Sequence, residues 1–240
     1  MPLTVYQHQR SQKETLQSRA SRAKEILQRL KKRYPRARIA LRFSNHWEML
    51  VAIILSAQCT DKKVNEVTAA LFKKYRTLED YVGADLKEFE RVIRPTGFYH
   101  AKAKNILATA RIIKEKFGGK LPRTMAEMLT LRGVARKTAN IALGNAYGVV
   151  EGVAVDTHVK RLSRRLGLSD SQNPERIERG LMQLFPKREW FKLTYRLIDH
   201  GRAICAAKDP RCDLCPLADL CPSAFQFPRF EKHNGAVRKK

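Results

Sequence analysis

Lys137 lies in the segment LRGVARKTAN (131–140) and Asp156 in the segment VDTHV (155–159). The first reads as a Gly-containing hairpin that opens a helix. The second puts a carboxylate at the start of another, where Asp is also an ordinary N-cap. Gly133 allows a tight turn through which backbone amides can approach a phosphate. An amine near a helix start is disfavoured as a cation by about 0.3–1 kcal/mol, which suits a nucleophile that must react unprotonated. The adjacent Arg136 works in the same direction. A carboxylate can stabilise positive charge that develops at the reacting centre. A phosphate-seeking hairpin, an amine and a carboxylate together suit chemistry on DNA.

A second constellation is Cys205, Cys212, Cys215 and Cys221, spaced C-x6-C-x2-C-x5-C. Four thiolates this close can surround one soft metal centre. Zinc modules usually carry two close C-x2-C pairs and only one is present, while the spacing is not that of bacterial ferredoxins either. Spacing alone leaves zinc and iron–sulfur open. The segment between the ligands holds prolines and little that can pack by itself, so a metal centre would fold it. Cys59 stands apart and reads as a small packed hydrophobe.

These groups need a scaffold, and the 240 residues suffice for one large domain or two smaller ones. Lys and Arg number 48 against 23 Asp and Glu, a net charge of +25. Such an excess repels itself unless a polyanion neutralises it, and nucleic acid is the usual partner. The N-terminus is polar and shows no secretory h-region, and the longest apolar run, 49–57, is too short to span a bilayer. A cytoplasmic, nucleoid-associated protein without disulfides is expected.

Periodicity is helical almost throughout. Ala23, Ile26, Leu27 and Leu30 follow the 3.6-residue rule, as do Val64, Val67, Thr68 and Leu71 behind Asp61, read as an N-cap. Val159, Leu162 and Leu166 mark a helix ended by Gly167. Long helices are expected over 99–117, stopped by Gly118–Gly119, and over 189–206, and a shorter one over 124–131. Nothing alternates over strand length, so the fold class is all-α, with about ten helices. The first 17 residues and the tail 226–240 lack apolar periodicity and read as basic arms, solubilising or DNA-contacting.

Four segments carry a resemblance to the helix-hairpin-helix DNA glycosylases, and within them to the endonuclease III family: LSAQ (55–58), the hairpin 131–139, VDTH (155–158) and the cysteine spacing. It spans roughly residues 18–225. The family hairpin is L-P-G-V-G-x-K-T-A; here Arg132 replaces the proline and Ala135 the second glycine. Where that glycine takes φ > 0, Ala costs on the order of 1 kcal/mol. Arg132 can offset a weakened amide contact by pairing with phosphate.

The resemblance implies two helical domains with a DNA-binding groove between them: a six-helix domain over 40–151 with the helix-hairpin-helix at about 124–147, and an iron–sulfur domain from 18–39 and 152–225. It implies a 4Fe–4S cluster on the four cysteines. It makes Lys137 the nucleophile and Asp156 its assistant. Gln58 is implied to fill the gap left by a flipped base, and Phe98 to form the apolar tip of a second wedge. Lys102, Arg132, Gly133, Val134, Ala135, Arg136, Lys208 and Arg211 are expected on the DNA backbone, and Ser56 and His158 at the lesion pocket. The implied activity is base-excision repair by a monomeric bifunctional glycosylase/AP lyase, acting on double-stranded DNA with oxidised pyrimidines or abasic sites. The alternatives are a monofunctional mismatch or adenine glycosylase and a non-catalytic DNA-bound iron–sulfur redox sensor.

Overall fold

The structure, a computed structural model, describes residues 14–228 and 230. Most of the two basic arms therefore lies outside the described residues. Among the described residues every regular element is helical. The α-helices are α1 (Leu16–Arg33), α2 (His46–Leu55), α3 (Asp61–Lys74), α4 (Leu78–Val82), α5 (Leu86–Ile93), α6 (Tyr99–Phe117), α7 (Met125–Met128), α8 (Arg136–Tyr147), α9 (Thr157–Arg165), α10 (Pro174–Leu184) and α11 (Lys187–Ala203). Among the described residues no helix is long and apolar enough to cross a membrane.

The chain divides into two compact units. One comprises 38–156 with 190–195; the other holds 157–189, 196 onward and the chain up to Ala37. In the first unit α2 is the central element. Every residue from Glu48 to Leu55 is buried, and the helix packs against α3, α6 and α8. A helix apolar on all sides has no other stable place than a core. Trp47, Tyr75, Tyr81 and Phe89 meet edge-on or tilted beside it, with ring centroids 5.1–5.7 Å apart. The segment 190–195 of α11 belongs to this unit: Tyr195 accepts a 2.8 Å bond from Asn145 on α8. The sequence division had kept all of 152–225 in the other domain.

The second unit is built on α1, α9 and α10. α1 buries Ala23, Ile26, Leu27 and Leu30, the four residues its periodicity selects. Lys31 and Arg196 both pair with Glu189, at 2.7 and 2.6 Å.

Side chains cap most helix starts. Thr15, Asn45, Asp85 and Asn173 accept backbone N–H bonds, and Thr77 and Thr124 form complete capping boxes with Asp80 and Glu127. Thr60, not Asp61, caps α3; Asp61 is its first helical residue. The helix expected over 124–131 is a single turn, because Thr130 and Leu131 bond back to Glu127 and Met128 and turn the chain into the hairpin. α6 and α8 begin without any side-chain cap, at Phe98 and Ala135.

Gly144 on α8 lies where the Phe191 ring leaves no room for a Cβ. Helix propensity alone favours Ala there by about 1 kcal/mol, whereas overpacking costs about 1–3 kcal/mol. Gly144→Ala is expected to lower the urea midpoint; a raised midpoint would show that Phe191 moves aside freely.

Candidate active site

The hairpin joins α7 to α8. Gly133 has φ +74, and a Cβ there would sit 3.0 Å from Asn105 of α6, so both conformation and space demand glycine. Thr109, four residues further along α6, donates a 2.9 Å bond to the Arg132 carbonyl. Arg132, Gly133 and Ala135 are exposed. Val134 is not: its side chain is buried and its N–H bonds to the Leu131 carbonyl at 3.3 Å. It anchors the turn rather than meeting a phosphate. Ala135 takes φ −88 and ψ 171, extended backbone open to any residue. The strain feared from losing the second glycine is absent.

α8 then starts at Arg136 with no acidic residue in its first turn. A helix start carries the positive end of the helix dipole, which favours an anion. Lys137 is the second residue of α8 and half-buried. Asp156, also half-buried, immediately precedes α9. The chain leading to it is fixed by buried Val153 and Ala154, the latter through a 3.3 Å bond from Thr194. Lys137 and Asp156 belong to the same unit.

Gln58 and Phe98 share an uncommon conformation. Among the described residues only three non-glycines have positive φ, and these are two of them, at +52 and +49. For bulky residues this costs on the order of 1–3 kcal/mol, a penalty that collects at functional sites. Gln58 is exposed, and Phe98 is 66% exposed, an apolar ring held in solvent. Ser56 caps α2 and gives its hydroxyl to the Ile53 carbonyl at 2.7 Å.

Lys102 departs from its expected place on the DNA backbone. It is 5% exposed, and its Nζ donates to the Leu55 and Thr96 carbonyls, both at 2.8 Å. Burial favours the neutral amine and lowers its pKa. An ammonium so enclosed does not reach a phosphate. Sequence alone placed it among basic neighbours and could not show carbonyl partners on distant loops.

In the other unit all four cysteines of the C-terminal segment line one cavity with apolar walls that include Leu162, Leu166 and Ile204. Burial pushes the thiols of Cys215 and Cys221 up to about 11 and about 12. Thiolates there require a positive centre beside them. The soft donor set suits zinc or iron–sulfur. N–H groups already point at sulfur: Arg165 Nη1 lies 3.2 Å from Cys205 Sγ, and the Leu217 amide 3.4 Å from Cys215 Sγ. His200 Nε2 stands 3.5 Å from Cys215 Sγ, and its Nδ1 is 3.1 Å from the Tyr34 hydroxyl. Lys208 is exposed on the loop, while Arg211, also exposed, turns a guanidinium N–H back to the Ala203 carbonyl. His158 is held by Arg161, 3.1 Å from Nδ1, and abuts Gly201. That is the packing of a bracing residue.

Residues 51–187 match the family described as HhH-GPD superfamily base excision DNA repair protein. The chain is 53% identical over 207 residues to Endonuclease III of Synechocystis sp., covering 86% of this chain and 94% of that one. Two solved structures, a non-covalent Endonuclease III–DNA complex and a trapped Endonuclease III–DNA covalent intermediate, each superpose with a TM-score of 0.82 at 40% identity, over 90% of this chain and 98% of theirs. The uncapped hairpin helix, the exposed left-handed loop tips and these likenesses agree: the chain belongs to the endonuclease III family of the HhH-GPD superfamily of base excision DNA repair proteins.

Proposed function

We propose that the protein is a bifunctional DNA glycosylase/AP lyase that removes oxidised pyrimidines from double-stranded DNA through Lys137. The observation that carries this reading is the placement of Lys137 one residue into an uncapped helix, directly behind the exposed hairpin Arg132–Gly133. A phosphate held at that helix start brings the sugar of an everted nucleotide to the amine. Arg132 and Arg136 add charge to the same anion site, and Ala135 leaves the backbone open to it. Gln58 takes the space vacated in the stack and bonds to the orphan base. Phe98 parts the bases beside it. Lys208 and Arg211 meet the backbone from the cysteine loop, Ser56 serves the lesion pocket, and His158 acts as a bracing residue.

The Lys137 amine attacks C1′ and the damaged base departs with the glycosidic bonding pair. Asp156 stabilises the positive charge on the sugar and takes a proton from the ammonium that the attack forms on Lys137. Ring opening leaves a Schiff base, which acidifies the C2′ proton. Loss of that proton expels the 3′ phosphate by β-elimination, and hydrolysis of the imine frees Lys137. The working form is a monomer acting on cytoplasmic, nucleoid-associated DNA, with abasic sites as further substrates.

Cys205, Cys212, Cys215 and Cys221 hold a 4Fe–4S cluster in this reading. Bound there, it neutralises thiolates in an apolar cavity and cross-links a loop that packs little by itself. The resemblance in spacing supports it over zinc, and the shared cavity brings the four cysteines together.

Borohydride is expected to trap a covalent adduct with DNA carrying one oxidised pyrimidine, and Lys137→Gln to abolish it; trapping by that variant would move the nucleophile elsewhere. Asp156→Asn is expected to slow base release about a hundredfold or more while changing DNA affinity less than about threefold. Equal losses in rate and affinity would reduce Asp156 to a helix cap. Purified protein should contain about four iron atoms and matching labile sulfide per chain, lost in Cys212→Ser. Stoichiometric zinc instead would overturn the cluster.

A further inference from the structure

Gln58 and Phe98 sit on separate loops, and one side chain joins those loops behind their tips. Lys102 Nζ donates to the carbonyl of Leu55, the last residue of α2, and to that of Thr96, the last residue of the 3-10 turn Arg94–Thr96. Both carbonyls lie at C-terminal helix ends, where a cation is favoured. Leu55 lies three positions before Gln58, and Thr96 two positions before Phe98. The Lys102 amide closes the first turn of α6 on the Phe98 carbonyl at 3.1 Å, so the second loop runs directly into the helix that carries the lysine. The turn after α2 is otherwise held by short-range bonds, Ala57 N to Ile54 O and Cys59 N to Ser56 O.

A buried ammonium is a costly way to satisfy two carbonyls. It makes sense where the loops must keep a fixed separation while their tips carry strained backbone. We propose that Lys102 is a positioning residue: its ammonium brackets the Gln58 and Phe98 loops so that both side chains enter the base stack together. This rests on the reading of Gln58 and Phe98 as stack-filling groups. On the same edge of α6, Asn105 backs Gly133 and Thr109 holds the Arg132 carbonyl. The bracket therefore also sets the two loops in register with the hairpin.

The test is a cycle of Lys102→Met, Gln58→Ala with Phe98→Ala, and all three substitutions together. The probe is a duplex bearing one oxidised pyrimidine opposite 2-aminopurine, whose fluorescence rises when the orphan base unstacks. Lys102→Met is expected to slow single-turnover base release about tenfold with affinity changed less than about threefold, and to suppress the fluorescence rise. Added to the Gln58/Phe98 pair, it should cost less than about twofold more, because its effect passes through those two residues. A lysine that only stabilises the fold would instead multiply its effect onto the pair, and that result overturns the proposal. So does unchanged base release in Lys102→Met. If Lys102→Met does not fold, Lys102→Gln carries the same cycle, and failure of both to fold assigns Lys102 to stability alone. A Gln58/Phe98 pair with normal base release and fluorescence would overturn the stack-filling reading itself, and the bracket with it. An impaired pair beside a normal Lys102→Met defeats the bracket only.

Discussion

Lys102, Asn105 and Thr109 stand at i, i+3 and i+7 on α6, one edge of one helix, and each meets a different stretch of chain. Lys102 takes the carbonyls behind Gln58 and Phe98, Asn105 fills the space under Gly133, and Thr109 takes the Arg132 carbonyl. Loops that approach DNA cannot supply their own core, since their tips face solvent. Their geometry must come from behind. α6 supplies it because the adjoining face of the helix is anchored by Ala103, Ile106, Ala110 and Ile113 in the core of the unit. A shift of this helix would move the hairpin and both loop tips at once.

The helix starts show the same division between structure and function. At α2, α3, α5 and α10 a Thr, Asn or Asp closes the N-terminus, while α11 starts behind Pro186 with no side-chain cap. α6 and α8 begin instead at Phe98 and Ala135, neither of which can accept a hydrogen bond through its side chain. Stability is given up at both places, once as an open helix end and once as left-handed backbone under an exposed ring. Both places coincide with the surfaces assigned to DNA.

Much of this was legible in the sequence. The buried faces of α1 and α3, the span of α6 and the hairpin's place before Lys137 follow from periodicity, capping residues and glycine. The cations were harder. Lys102 reads as one basic residue among many, yet its partners are carbonyls 47 and 6 residues away. Arg22, Arg29, Arg161 and Arg165 likewise turn inward. Arg22 reaches the Leu166, Gly167 and Leu220 carbonyls, and Arg29 reaches the Pro216 carbonyl and Asp219. Arg161 bonds to the carbonyls of Gly201 and Cys205, and Arg165 to those of Ala206 and Ala207. Charge counting gives the sign of the protein's field but not which cations are tied to its own backbone. A loop rich in proline and cysteine offers many unsatisfied carbonyls, and guanidinium groups with several donors are suited to collecting them.

Ala135 carries a broader meaning. Its extended φ places no stereochemical demand on the residue, whereas Gly133 is bound by both its dihedral and its neighbour. The two positions look equivalent in a consensus string but are under different physical constraints. One is fixed by its dihedral and by Asn105 behind it; the other accepts a side chain without backbone strain. A side chain at Ala135 is therefore limited only by what meets the exposed turn, and one at Gly133 by the chain itself.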